Sequence, residues 1–131
     1  MSTALKIAVS SSSDAGLDSP VDPRFGRCPF YTIIELEDGK IIKVQPLQNA
    51  AATATFYSVG IKAIQLIIKN GVNTIITGKL GPKSFRGLRD AGIPVYNIAP
   101  EIQVSQALEM FLQNKLSLIS DPGAPHAGKR R

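Results

Sequence analysis

Through the first half of the chain, short runs of β-branched and aliphatic residues alternate with polar, glycine and proline punctuation; helical spacing takes over in the second half. Residues 5–10 read as a first strand, stopped by the serine run Ser10 to Ser13 and by Asp14. Residues 30–36 make a second strand and 41–44 open a third, and the Asp38-Gly39 pair between them is a hairpin signal. Pro46 and Asn49 make 45–53 irregular. A helix is expected over 54–70, closed by Gly71. Val59, Ala63, Leu66, Ile67 and Asn70 share one side of it, and Ile61, Ile64 and Ile68 widen its apolar surface so far that deep burial is expected. Gly60 is costly inside this helix unless something packs close against it. A fourth strand over 72–77 is apolar enough to be covered on both faces. A second helix starts at Pro82 and ends near Ala91, with Gly92 as its cap. Residues 93–96 form a short fifth strand, Val104, Leu108, Phe111 and Leu112 mark a third helix, and 116–119 add an edge segment.

A hairpin followed by alternating helices and strands predicts an α/β fold with three layers, a mixed five-stranded sheet carrying helices on both faces. Strand one lies in the middle, the hairpin on one side and strands four and five on the other by right-handed crossovers. The order is 3-2-1-4-5, with strand two antiparallel. Open sheets of this kind bind ligands beyond the carboxyl ends of their parallel strands, where successive connections diverge. Here that point lies between strands one and four.

Four loops converge on that edge. The most distinctive is Ser19-Pro20-Val21-Asp22-Pro23-Arg24-Phe25-Gly26-Arg27-Cys28-Pro29-Phe30, stiffened by three prolines and carrying two arginines and the chain's one cysteine. Ser11 and Ser12 leave strand one there, Asn49 arrives after strand three, and Lys79, Gly81 and Lys83 follow strand four. The serine hydroxyls either donate to an anion or are solvated spacers. The second helix turns its first free amides toward the same edge, between Lys79 and Lys83. Arg24 and Arg27 form the opposite wall. Cys28 has two readings: a thiolate activated by nearby arginines and offered to a metal, or a small core hydrophobe.

Composition narrows the classes. The 131 residues suit one domain over 1–120, followed by a disordered basic tail over 121–131. The net charge is +5, but Lys129, Arg130 and Arg131 supply three units, which leaves +2 for residues 1–128. With no aromatic residues interleaved among the cations, a nucleic-acid partner is not expected. No apolar run reaches the roughly 20 residues a membrane span requires. A lone cysteine and an N-terminus without a signal-peptide pattern point to the cytoplasm. Strands one and four lack the clustered carboxylates of a metal-dependent nuclease, His126 stands far from any nucleophile, and 78–81 is too short for a Walker loop, so no enzyme is expected.

Lys6-Ile7-Ala8-Val9, Asp18-Ser19-Pro20-Val21, Arg24-Phe25-Gly26-Arg27, Gly60-Ile61-Lys62-Ala63, Thr77-Gly78-Lys79-Leu80-Gly81-Pro82 and Ala91-Gly92-Ile93 occur in an order that resembles the dinitrogenase iron–molybdenum cofactor biosynthesis family. Its members include NifX-type cofactor carriers, the C-terminal domain of NifB and the molybdenum–copper orange protein. The resemblance spans roughly residues 5–118. It implies a ribonuclease H-like fold and a nitrogen-fixation-related protein that carries an anionic cluster of iron–sulfur, molybdenum–iron–sulfur or molybdenum–copper–sulfur type without catalysing a reaction. It also implies a thiometallate or cluster as ligand, cluster-assembly proteins as partners, and a monomer or homodimer. Many members have histidine where this chain has Arg24, and some have another near the position of Tyr57 or Ser58; this chain has neither. Two expectations follow: a carrier that holds its cluster by charge and one thiolate, or an interaction module of the same fold that binds a partner protein or small anion without metal.

Overall fold

The computed structural model describes residues 4–53, 59–99 and 101–120. β1 (Ala4–Ser11), β2 (Phe30–Glu37), β3 (Lys40–Gln48), β4 (Thr74–Thr77), β5 (Val95–Asn97) and β6 (Ser117–Leu118) form one sheet in the order β3-β2-β1-β4-β5-β6. β2 is antiparallel to both β1 and β3, β4 and β5 are parallel additions, and β6 closes the far edge antiparallel to β5. The expected order 3-2-1-4-5 is therefore present, with the 116–119 segment adding a sixth strand. Asp38 and Gly39 both have positive φ in the hairpin turn, the geometry of the two-residue loops that match strand twist.

Alternation along the strands builds two cores. Ala8, Tyr31, Ile33 and Ile75 face one side, where Ala63 and Ile67 of α1 (Val59–Lys69) and Phe85 and Leu88 of α2 (Pro82–Asp90) cover them. Ile7, Val9, Ile34, Leu36 and Ile76 face the other, under Val104, Ala107 and Leu108 of α3 (Val104–Leu112). Each aliphatic side chain fully buried this way contributes about 1.5–3 kcal/mol.

Several boundaries differ from the pattern-based expectation, each for a local reason. Residues 54–58 of the expected first helix, and the tail over 121–131 with His126, lie outside the described residues. α1 is also less buried than expected: Ile61 and Ile68 are 54% and 52% exposed, and of its described side chains only Ala63 and Ile67 are sealed. Gly60 does have its close neighbour, since an added Cβ would stand 2.8 Å from Ser84 Oγ; on the partner helix, one at Gly87 would meet Ile64 Cδ1. β3 runs on through Pro46, paired with Thr32; at a sheet edge the missing N–H costs no ladder bond. β4 and β5 start later than expected because Val72 and Ile93 give their amides to Ile67 and Leu88, closing the preceding helices over Gly71 and Gly92.

Candidate functional site

Segment 19–28 lies across the carboxyl ends of β1 and β4 and is stitched to both. The Ser10 hydroxyl donates to the Asp22 carbonyl at 2.6 Å and shares a hydrogen bond of 2.8 Å with Thr77 Oγ1. The Asp22 amide donates back to the Ser10 carbonyl at 2.8 Å. Farther along, the Lys79 amide donates to the Pro23 carbonyl and the Phe25 amide to the Lys79 carbonyl, so Arg24 and Lys79 form an isolated parallel bridge. Pro23 lies directly on Gly78, where an added Cβ would be 2.9 Å from the proline Cα. The diverging strand ends thus do not open on a deep crevice. The chain's own loop covers them, and the candidate site is the outer surface of that loop.

On that surface the backbones of two cationic residues, Arg24 and Lys79, are joined. Backbones joined by a parallel bridge lie about 4.8 Å apart, with paired side chains on the same face. Arg24 and Lys79 are both exposed, so the loop presents positive charge to solvent. One neighbour offsets part of this. Asp22, with a side chain only 6% exposed, accepts Arg24 Nε and Nη2 at 3.0 Å each, and its Oδ1 also accepts the Arg24 amide at 2.9 Å. Ser12 Oγ donates to the same carboxylate at 3.3 Å. Burial pushes the Asp22 carboxyl up, but the Arg24 hydrogen bonds and charge, with Ser12, outweigh it and leave its pKa below the usual value of 3.8. Hydrogen bonding to Asp22, and its charge, raise the Arg24 pKa further above its ordinary range. The Arg24 side chain nevertheless stays 57% exposed. α2 follows at once, and its N-cap, Gly81, has no side chain with which to cap the amides of its first turn.

Beneath the loop, buried donors take its carbonyls. The Tyr31 hydroxyl and the Cys28 thiol both donate to the Phe25 carbonyl, the thiol at 3.4 Å. Asn49 Nδ2 donates to the Gly26 and Cys28 carbonyls at 3.0 and 2.8 Å, and Asn49 Oδ1 accepts the Ala51 amide at 3.1 Å. Arg27 Nη1 donates to the Ala52 carbonyl at 3.0 Å. Burial pushes the Cys28 thiol up to about 12 and the Tyr31 hydroxyl well above its usual value.

The expected site residues therefore divide. Arg24 and Lys79 come together, Ser12 reaches them through Asp22, and Gly81 and the exposed Lys83 open α2 just beyond Lys79. Three of the others serve the loop's architecture. Ser11 is fully buried and spends its hydroxyl on the Val9 carbonyl and Thr32 rather than on an anion. Asn49 is 3% exposed and fastens the loop from below. Cys28 is fully buried, and the expectation that arginines lower its pKa is reversed, because desolvation outweighs neighbouring charge. Arg27, half-buried, is tied to Ala52. Asp22 was given no role of its own in the sequence analysis. It forms a turn with the Arg24 amide, and the Asp-Pro-Arg spacing was the available signal for the ion pair.

Comparisons with known proteins agree with this architecture. The chain is 34% identical over 96 residues to an uncharacterized protein of Methanocaldococcus jannaschii, covering 73% of this chain and 80% of that one. The apo form of the orange protein from Desulfovibrio gigas superposes with a TM-score of 0.81 at 32% identity, covering 91% of this chain and 96% of that one. A putative NifB protein from Thermotoga superposes with a TM-score of 0.71 at 27% identity, covering 92% and 97% of the two chains. Among the described residues no helix is long and apolar enough to cross a membrane. The family model described as "Dinitrogenase iron-molybdenum cofactor" matches residues 4–114, and the chain belongs to that family.

Proposed function

We infer that the protein is a non-enzymatic carrier or scaffold for an anionic metal–sulfur cluster, which it holds chiefly by charge. The observation that carries this reading is the Arg24–Lys79 bridge, which puts two exposed cations on adjoining backbones where a multivalent anion could meet both. The amides at the start of α2, to which Gly81 offers no capping side chain, and Lys83 support it, because a helix N-terminus favours negative charge. Family membership supplies the class of cargo. The donor set favours charge over coordination: among the described residues no three His, Cys, Asp or Glu side chains come together as metal ligands, and the Cys28 thiol is protonated and sealed.

Anaerobic titration with tetrathiomolybdate, followed by its visible absorption and by metal retained after desalting, tests the reading. The wild-type protein should retain metal, and Arg24→Ala should weaken retention by one to two decades, the worth of a charge-assisted contact of about 1.5–3 kcal/mol. Wild-type protein that retains no metal, or an unaffected Arg24→Ala, overturns it.

One observation favours a second use of the fold, as a module for cluster-assembly proteins. Ile61 and Ile68 lie two turns apart on α1 and are more than half exposed, a pair of apolar contacts turned to solvent.

A further inference from the structure

We propose that Asp22 is a positioning residue for this anion site, fixing the direction of the Arg24 guanidinium so that its remaining donors face outward beside Lys79. The inference rests on the anion-binding reading of Arg24 and Lys79 and goes beyond it by assigning a role to a buried acid.

A carboxylate next to an anion site is, on charge alone, a handicap. Asp22 repels whatever Arg24 attracts. Its geometry shows another role. Oδ1 and Oδ2 take Nε and Nη2, the side-on edge of the guanidinium, both at 3.0 Å. An arginine has five N–H donors in a fixed plane, so two are spent and three remain: both on Nη1 and one on Nη2. Among the described residues no further hydrogen-bond partner takes them, and the Arg24 side chain is 57% exposed. Planarity does the rest, since fixing one edge fixes where the free donors point.

Asp22 is itself held rigidly. Its amide is bonded to the Ser10 carbonyl, its carbonyl accepts the Ser10 hydroxyl, Oδ1 accepts the Arg24 amide, and its side chain is 6% exposed. The anchoring thus runs from the end of β1 through Asp22 to Arg24. A free arginine carries rotamer entropy that binding would have to remove. Here part of that ordering is present before the ligand arrives. The depressed Asp22 pKa keeps the carboxylate charged, and the bridge made, at neutral pH.

Asp22→Asn separates the two effects. Asparagine keeps an Oδ1 for the Arg24 amide, so the turn survives, but sets an NH2 group against Nη2 and drops the negative charge. An arrangement governed by charge alone would bind tetrathiomolybdate more tightly in Asp22→Asn. Positioning by Asp22 makes it bind about tenfold more weakly. Asp18→Asn, the same charge change at an exposed position of the same loop, serves as the control and should bind as wild type or slightly more tightly. Arg24→Lys keeps the charge without the two-pronged contact and should fall with Asp22→Asn.

A second measurement is independent of affinity. The Arg24 Nε–H resonance should exchange slowly in the wild type and lose that protection in Asp22→Asn. Equal or tighter binding by Asp22→Asn, with Arg24→Ala still weakened, overturns the role of Asp22 and leaves the anion site standing. An unaffected Arg24→Ala, or wild-type protein that binds no thiomolybdate, overturns both.

Discussion

Gly78 lies so close to Pro23 that a Cβ added to it would stand 2.9 Å from both the Cα and the carbonyl oxygen of the proline. This approach lets the loop over 21–25 settle on the end of β4 and puts Arg24 opposite Lys79. Neither neighbour can yield cheaply, because both atoms belong to the backbone of a stiff segment.

Gly78→Ala should therefore destabilise the protein by about 1–3 kcal/mol, the usual cost of overpacking a close contact. Gly81→Ala should change stability by no more than about 0.5 kcal/mol, since its φ is −70° and an added Cβ meets nothing within 4 Å. Urea midpoints of the two variants give the comparison. Equal effects would mean that the Pro23–Gly78 contact does not hold the loop in place.

α1 offers a second contrast. Ile67 is fully buried between the sheet and its neighbours, while Ile61 is 54% exposed. Ile67→Ala should cost about 2–5 kcal/mol, as large-to-small changes in a packed core do. Ile61→Ser should cost about 0.5 kcal/mol or less in the isolated protein. A large loss at Ile61 would place that side chain in a buried interface, such as one with a second molecule.

These two isoleucines also show what the sequence could and could not convey. Strand order was legible because the hairpin turn, the helix-closing glycines and the alternation of apolar residues each act over a few neighbours. The burial of α1 was misjudged because a wide apolar stripe does not say which of its edges turns outward; that depends on where α2 and the segment at Ala50–Thr53 pack. At Cys28 the flanking arginines suggested an activated thiol, yet the side chain points beneath the loop while Arg24 points away from the core. Burial then decides the pKa. Asp22 was visible as a residue of a turn, but its value to Arg24 depends on the bridge to Lys79, formed by residues 55 positions apart in sequence.

For Cys28 the pH dependence has a definite sign. The thiol has its ordinary value of 9.0 when exposed and is pushed up to about 12 in the folded protein. Below pH 9 both states keep the proton. As the pH rises above 9 the unfolded chain releases a proton that the folded chain retains, so stability should fall between about pH 9 and 12. Cys28→Ala should flatten this decline, with Tyr31 accounting for part of what remains, since its hydroxyl is also raised by burial. Urea unfolding at neutral and alkaline pH measures the slope. At pH 8 the native thiol should react with a disulfide reagent far more slowly than in urea, and rapid native reaction would show it to be accessible after all.

The last expectation sets stability against binding at Lys79. Arg24 and Lys79 put two exposed cations on bridged backbones, and Asp22 is ion-paired with Arg24. Lys79→Met keeps most of the aliphatic stem and removes the charge. The ligand-free protein should gain about 0.2–1 kcal/mol, the range of an opposed-pair effect in a sheet. Thiomolybdate binding should weaken roughly tenfold and become less sensitive to salt, because the removed charge is one that mobile ions screen. Lys83→Met, at an exposed position with no cation bridged to it among the described residues, should reproduce part of the loss in binding without the gain in stability. Opposite signs at Lys79 would identify the like-charge pair as a feature retained for an anion. A Lys79→Met protein that loses stability and binds normally would make the bridge a matter of folding alone, and would leave the start of α2 as the better candidate for holding the cluster.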